Sequence, residues 1–157
     1  GMRWWKRKAE QKPDFQVDAI RRVRDAYALL RAMQAPFFVI GSANSVLDRR
    51  WRRCDATFQP HEFGAYLAAT TPHPLHALVV PARDAYTQRQ ALWTGGGFGI
   101  PTRRPVPPIY KLVKKRGGVT RRISPMGLWK ARAARRGVPH GFAIAVHARM
   151  GLPRLEM

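Results

Sequence analysis

The feature that most constrains this chain is a long stretch without any carboxylate. From residue 85 to residue 155 there is neither Asp nor Glu, although 15 of the protein's 29 Lys and Arg residues lie there. Because such an excess of positive charge repels itself, a compact fold is costly to hold there without an anionic partner. We therefore expect nucleic acid as the first candidate partner, ahead of an anionic membrane surface and an acidic protein. A basic, solvated surface without a partner is the alternative.

The rest of the composition is that of a folded protein. A chain of 157 residues suits one domain, and a hydrophobic fraction of 45% allows a core. We expect a basic tail over residues 1–13 and a single α/β domain over 14–157, with an irregular Gly- and Pro-rich insertion at 82–118. The single cysteine, Cys54, excludes an intramolecular disulfide and a thiolate metal cluster. The longest apolar stretch, 35–40, is far shorter than the roughly 20 residues of a membrane span.

The basic tail contains two adjacent tryptophans, Trp4 and Trp5, between cations. This composition is typical of an interfacial membrane anchor and equally of a segment that stacks on nucleobases. Packing of both rings on the body of the protein is the third possibility.

Hydrophobic periodicity predicts a small α/β domain with an N-terminal amphipathic helix and a mixed sheet. The apolar residues of that helix recur at spacings of three and four, so it is expected to dock by one face. The expected elements are a helix over 14–33, a strand over 36–40, a helix over 60–69, strands over 75–80 and 119–123, a helix over 128–136 and a strand over 142–146. Residues 109–113 are expected to form a short strand or a turn.

A dense basic patch surrounds Trp51, because residues 49, 50, 52 and 53 are all arginine. One interpretation is a contact to phosphates or bases. The other, slightly favoured, is a helix that turns Leu47 and Trp51 inward and leaves the arginines in water.

Signals for catalysis or metal binding are weak. The glycine-rich segment 94–101 has neither the Gly-Lys-Ser/Thr ending of a phosphate loop nor the spacing of the dinucleotide fingerprint. A surface loop is favoured there over a ligand loop. His73 and His76 lack a neighbouring acid or thiol, and the carboxylates form no motif for two-metal cleavage. We therefore expect no metal site and assign no catalytic residue.

A phosphate site is the strongest candidate that the residues offer. Gly127 lies between a predicted strand and a predicted helix, where glycine lets a phosphate approach the backbone amides of the helix. Lys130 would neutralise the phosphate, and Arg132 would assist. A further set of cations would extend this site into a track for nucleic acid: Lys114, Lys115, Arg116, Arg121, Arg122, Arg135 and Arg136. A plain basic helix with a capped start is the alternative.

This motif, Gly127-x-x-Lys130-x-Arg132-Ala-Ala-Arg135, resembles the Gly-x-x-Arg-x-Arg-Ala-Ala-Arg signature of the ParB/sulfiredoxin-like fold. The resemblance covers roughly residues 36–147 and implies binding of a nucleotide phosphate, with ATP or CTP as candidates. Lys130 stands where the signature has an arginine, and its ammonium group keeps the charge but lacks the planar donor geometry of a guanidinium. Leu128 occupies the position of the sulfiredoxin cysteine, so sulfinic-acid reduction is excluded. No helix-turn-helix domain of the partition proteins follows.

The stretch 47–53 followed by a compact remainder resembles the plasmid fertility inhibition factors, which include the oncogenic suppression protein. That resemblance implies a protein of a mobile element that blocks conjugative or T-DNA transfer, with nucleotide-dependent activity on DNA. It also implies type IV secretion components as partners. We expect a cytoplasmic protein, with a peripheral position at the inner membrane as the alternative. Two competing hypotheses remain. One is a nucleic-acid-binding module without nucleotide chemistry, with DNA expected before RNA. The other is a peripheral membrane or secretion-apparatus protein.

Overall fold

The computed structural model describes residues 10–42, 46–74, 76–114, 118, 120–125 and 138–151. These residues form a small α/β protein, which confirms the expected fold class. The chain falls into two compact units, one made of Gly1–Thr57 and Ala91–Phe98, the other of Phe58–Gln90 and Gly99–Met157. The expectation of one domain over 14–157 and a tail over 1–13 stays a prediction.

The described elements are three α-helices, two 3-10 helices and five strands. The helices are α1 (Phe15–Ala32), α2 (Val46–Arg50) and α3 (His140–Arg149), and two 3-10 helices span Pro60–Tyr66 and Ala82–Asp84. The strands are β1 (Phe37–Ser42), β2 (Ala56–Phe58), β3 (Gln90–Gly95), β4 (Lys111–Lys114) and β5 (Thr120–Ile123). The strands β1, β3 and β2 form one sheet in that order, and β4 pairs with β5 in a second.

The first unit contains α1 and most of the three-stranded sheet. The helix predicted over 14–33 is confirmed, with Asp18 in its first turn and Arg31 in its last, as the helix dipole favours. Its apolar stripe is only half-buried, and no residue of α1 is fully buried. Tyr27 joins this stripe to the sheet, since its ring meets that of Phe37 edge-on at 5.0 Å.

The centre of the sheet is β3, which lies inside the segment 82–118 that was expected to be irregular. That expectation is wrong for 90–95, which is a strand, whereas strand β4 at 111–114 agrees with the short strand or turn expected over 109–113. In β3, Ala91, Leu92 and Trp93 are all 0% exposed. A strand buried on both faces has no polar–apolar alternation, which explains why the sequence pattern did not indicate it.

The glycine-rich segment that follows β3 is closely packed rather than an open ligand loop. Gly96 has φ +59°, a left-handed conformation that favours glycine, and a Cβ there would overlap the backbone carbonyl of Ala35. The ring of Phe98, a little further on, lies 5.0 Å from that of Phe38. Gly96 is therefore explained by backbone packing.

The second unit is organised around three aromatic side chains. Phe142 of α3 stacks on Phe58 with ring centroids 4.5 Å apart, and it meets the ring of Phe63 edge-on at 5.1 Å. Both Phe63 and Phe142 are 0% exposed, and Phe58 is 2% exposed. Offset and edge-to-face aromatic pairs of this kind stabilise a core beyond the area they bury.

Three expected elements of this unit differ from the structure. The helix expected over 60–69 is a 3-10 helix over Pro60–Tyr66. The strand expected over 75–80 is wrong, because the amides of Val79 and Val80 both bond to the carbonyl of His76 in turns. The strand expected over 142–146 is also wrong, because these residues lie within α3.

The reason for the last difference is tertiary. The carboxylate of Asp84, which is 57 residues away along the chain, accepts a hydrogen bond from the amide of Gly141 at 2.8 Å. This bond caps the start of α3. Packing then buries Phe142, Ala145 and Val146 at helical spacing, which the β-branched composition of the segment did not suggest.

Candidate nucleic-acid interface

The most prominent surface feature of the second unit is the two-stranded ribbon of β4 and β5. The strands are antiparallel, and the register pairs Lys111 with Ile123, Leu112 with Arg122, Val113 with Arg121 and Lys114 with Thr120. Directly opposite residues share a face, and successive residues alternate between faces. The ribbon therefore has two distinct faces.

We call the face formed by Leu112, Lys114, Thr120 and Arg122 the outer face. All four of its residues are exposed, and Leu112 keeps 69% of its surface in contact with solvent. The other face, called the inner face, is formed by Lys111, Val113, Arg121 and Ile123. Its two apolar residues are half-buried and its two cations are exposed. The two faces therefore differ in exposure, and the outer face is the more open one.

The ribbon is preceded by a stem that the rest of the second unit holds firmly. Segment 104–106 runs beside the 3-10 helix, where the amide of Arg104 bonds to the carbonyl of Glu62 and that of Val106 to the carbonyl of His61, both at 2.9 Å. The amide of Ile109 donates to the carbonyl of Ala85 at 2.7 Å. These bonds fix the start of the ribbon relative to the core of its own unit.

The charge of the ribbon is not compensated by the described carboxylates of this unit. Glu62 pairs with Arg103 at 3.4 Å, and Asp84 is buried and caps α3. None of the four ribbon cations has an ion-pair partner among the described residues. The ribbon therefore presents four exposed positive charges and one exposed leucine to solvent.

The basic patch at residues 49–53 has a different role. Arg52 forms a bidentate ion pair with Asp55, at 2.8 and 2.7 Å, and donates to the hydroxyl of Tyr27 at 2.8 Å. Its guanidinium also lies 5.0 Å from the centre of the Tyr27 ring. Trp93 donates from Nε1 to the carbonyl of Arg52 at 3.0 Å. Arg52 is thus an internal link of the first unit.

The ionisation of this pair agrees with its geometry. The hydrogen bonds to Asp55 raise the pKa of Arg52 above its ordinary value. Burial acts to raise the pKa of Asp55, but its hydrogen bonds to Arg52 and Thr94 outweigh this, so its pKa is lowered. Trp51 is half-buried and Arg49, Arg50 and Arg53 are exposed, which agrees with the favoured interpretation of a short helix with its arginines in water. That interpretation is wrong for Arg52, which is half-buried and ion-paired.

A histidine cluster is the one grouping that sequence reasoning missed. The ring of His73 lies 5.3 Å from that of His76 and 6.4 Å from that of His140. Asp84 lies beneath them, with 1% of its surface exposed, and burial raises its pKa. His73 and His76 are close in sequence, but nothing in the sequence connects them with residues 84 and 140.

The hydrogen bonds of this cluster are not those of a metal-binding site. Nδ1 of His73 accepts a hydrogen bond from the backbone amide of His76 at 3.1 Å, so the neutral ring carries its proton on Nε2. A metal-binding histidine instead donates from the nitrogen that does not bind the metal. No group of three His, Cys, Asp or Glu side chains within the described part of the chain is arranged to hold a metal ion. The cluster is therefore best explained as support for the start of α3.

The predicted phosphate site cannot be placed. Seven of the predicted residues lie outside the described part of the chain, namely Lys115, Arg116, Gly127, Lys130, Arg132, Arg135 and Arg136. So do Trp4 and Trp5. Of the predicted cation track, the structure places Lys114, Arg121 and Arg122, and it brings all three onto the ribbon with Lys111.

Comparisons with family models, with curated proteins and with solved structures find no match to this chain. The resemblance to the ParB/sulfiredoxin-like fold therefore stays a prediction. None of the helices within the described ranges combines the length and the apolar character needed to cross a bilayer.

Proposed function

We propose that this protein binds nucleic acid and that the β4–β5 ribbon is its main point of contact. The observation that carries the proposal is the uncompensated charge of Lys111, Lys114, Arg121 and Arg122 on an exposed, anchored ribbon. Surface cations without acidic neighbours release counterions from a phosphate backbone when they bind it, and this release drives association.

The surrounding sequence strengthens this field. Lys115 and Arg116 directly follow β4 in the sequence, and no carboxylate occurs between residues 85 and 155. A polyanion that approaches the ribbon therefore meets no repulsive charge from this half of the sequence. The charge of the first unit is instead partly neutralised by its own acids, as in the pairs of Asp18 with Lys12 and Arg21.

Duplex DNA is the expected partner, and the protein is proposed to act in the cytoplasm. The turn at Gly127 with Lys130 and Arg132 enters the proposal as a second phosphate site for DNA or for a nucleotide such as ATP or CTP. Inhibition of DNA transfer between cells is the biological role that the sequence resemblance implies, and it belongs to the same proposal.

The test compares two variants that lose the same charge. One replaces Lys111, Lys114, Arg121 and Arg122 by glutamine; the other replaces Arg24, Arg31, Arg49 and Arg50, which are exposed residues of the first unit. Binding of labelled duplex DNA is measured at one moderate salt concentration, with and without ATP or CTP. We expect the ribbon variant to lose at least roughly ten-fold in affinity, at about 1 kcal/mol or less for each phosphate contact.

The control variant should lose much less, because its charges lie outside the ribbon. Equal losses in both variants would show that net charge alone drives binding and would refute the role of the ribbon. A change of affinity on addition of nucleotide supports the phosphate site at Gly127, and the absence of any change rejects it while leaving the ribbon untouched.

A further inference from the structure

We infer that the ribbon enters the major groove of B-form DNA with its outer face toward the base edges. This inference rests on the proposed function and deepens it, since it names the form of nucleic acid and the groove. It follows from three features of the ribbon: its width, the separation of its two faces and the chemistry of the outer face.

The dimensions of a two-stranded ribbon match this groove. Its strands lie about 4.8 Å apart, and four residues of β-strand extend about 10 Å. The major groove of B-DNA is about 12 Å wide and about 8.5 Å deep, and it admits a two-stranded β-ribbon. The major groove of an RNA duplex is deep and too narrow for side chains to reach the bases. Width therefore favours duplex DNA over duplex RNA.

The two faces of the ribbon divide the contacts between bases and phosphates. Val113 and Ile123 on the inner face are half-buried, whereas all four residues of the outer face are exposed, so the outer face is the one that we place toward the floor of the groove. Lys111 and Arg121, on the inner side, have long side chains that extend past the strand edges toward the groove walls. The walls are lined by phosphates, which fix position without reading sequence.

The outer face carries the groups that recognise base edges. Arg122 is the residue type that binds O6 and N7 of guanine with two hydrogen bonds, and Leu112 and Thr120 supply apolar contact for the methyl group of thymine. The exposed Leu112 next to a cation is unfavourable in water, and burial in a groove would remove its 69% exposure. A second copy of the ribbon is a poor occupant, because it would bring the same positive charges together.

The adjacent residues Arg121 and Arg122 provide the test, because they carry the same charge on opposite faces. Affinities of the full chain are measured for a DNA duplex, an RNA duplex of the same sequence and a DNA duplex that carries glucosylated hydroxymethylcytosine, which fills the major groove. We expect wild-type protein to bind plain duplex DNA at least roughly ten-fold more tightly than the other two. Netropsin, which occupies the minor groove, should not compete.

The two arginine variants must then behave differently. Arg122→Ala should lower the affinity for plain DNA by roughly ten-fold and abolish most of the preference for plain over glucosylated DNA. Arg121→Ala should keep that preference and weaken binding to all duplexes alike, with a salt slope smaller by about one. Binding that is equal on all three duplexes would overturn the major-groove inference and leave the proposed function standing. Absence of binding to every duplex would overturn both.

Discussion

Helix α3 gives the sharpest prediction for the fold, because a strand was expected there. Phe142 is 0% exposed and stacks against Phe58 and Phe63. Truncating a fully buried phenylalanine to alanine costs about 3–5 kcal/mol, since it removes both apolar burial and packing. Ile144 is only half-buried on α3. Ile144→Ala should therefore cost about 1 kcal/mol, which is the burial of a fraction of its side chain.

A strand would give a different ratio of these costs. In a strand, residues 142 and 144 would share one face, so Ile144 would be buried together with Phe142. Ile144→Ala would then cost about 2–5 kcal/mol, as for other fully buried aliphatic side chains. Urea titration of both variants, followed by far-ultraviolet circular dichroism, gives the two free energies of unfolding. A large loss for Phe142→Ala with a small loss for Ile144→Ala supports α3. Comparable losses for both would refute the helical assignment and the core built on it.

Three further sets of substitutions test other features by urea unfolding. Gly96→Ala should cost several times more than Gly97→Ala, since both need a positive φ but only a Cβ at Gly96 meets backbone; equal costs would argue against this packing. Asp84→Ala should cost about 1–3 kcal/mol and Asp84→Asn much less, because the side-chain oxygen of Asn still accepts the hydrogen bond from the amide of Gly141; equal effects would refute the capping role. Burial lowers the pKa of His73 in the folded state below 6.5. The neutral His73 side chain therefore contributes fully to the stability of the fold above pH 6.5, and this contribution is lost as the pH falls further. His73→Asn keeps an acceptor for the amide of His76 and should reduce this loss on acidification; an unchanged pH profile would contradict it.

Local sequence signals were sufficient where local forces decide the structure. The apolar spacing in α1 and the alternation in β5 predicted both elements, because spacings of three and four are typical of a helix and a spacing of two is typical of a strand. The charge of the second half was equally visible in the sequence. The assignment of Arg121 and Arg122 to opposite faces follows from the period of two in a strand.

The remaining features depend on distant contacts. The sequence of β3 shows no alternation, because the strand is buried on both sides. Helix α3 starts where the carboxylate of Asp84 caps it, and no local pattern reveals a partner 57 positions away. The ribbon could be recognised only from the register of β4 with β5, which brings Lys111 and Lys114 beside the two arginines. The histidine cluster was missed for the same reason.

The salt dependence of DNA binding tests the central claim most directly. The logarithm of the binding constant is plotted against the logarithm of the salt concentration for wild-type protein and for the variant with glutamine at Lys111, Lys114, Arg121 and Arg122. If all four cations contact phosphates, the slope of the variant should be smaller in magnitude by about 3–4, at roughly 0.9 for each contact. If Arg122 and Lys114 both contact bases instead, only two phosphate contacts are lost and the difference should be about 2. An unchanged slope would contradict the account, because the ribbon would then make no phosphate contact.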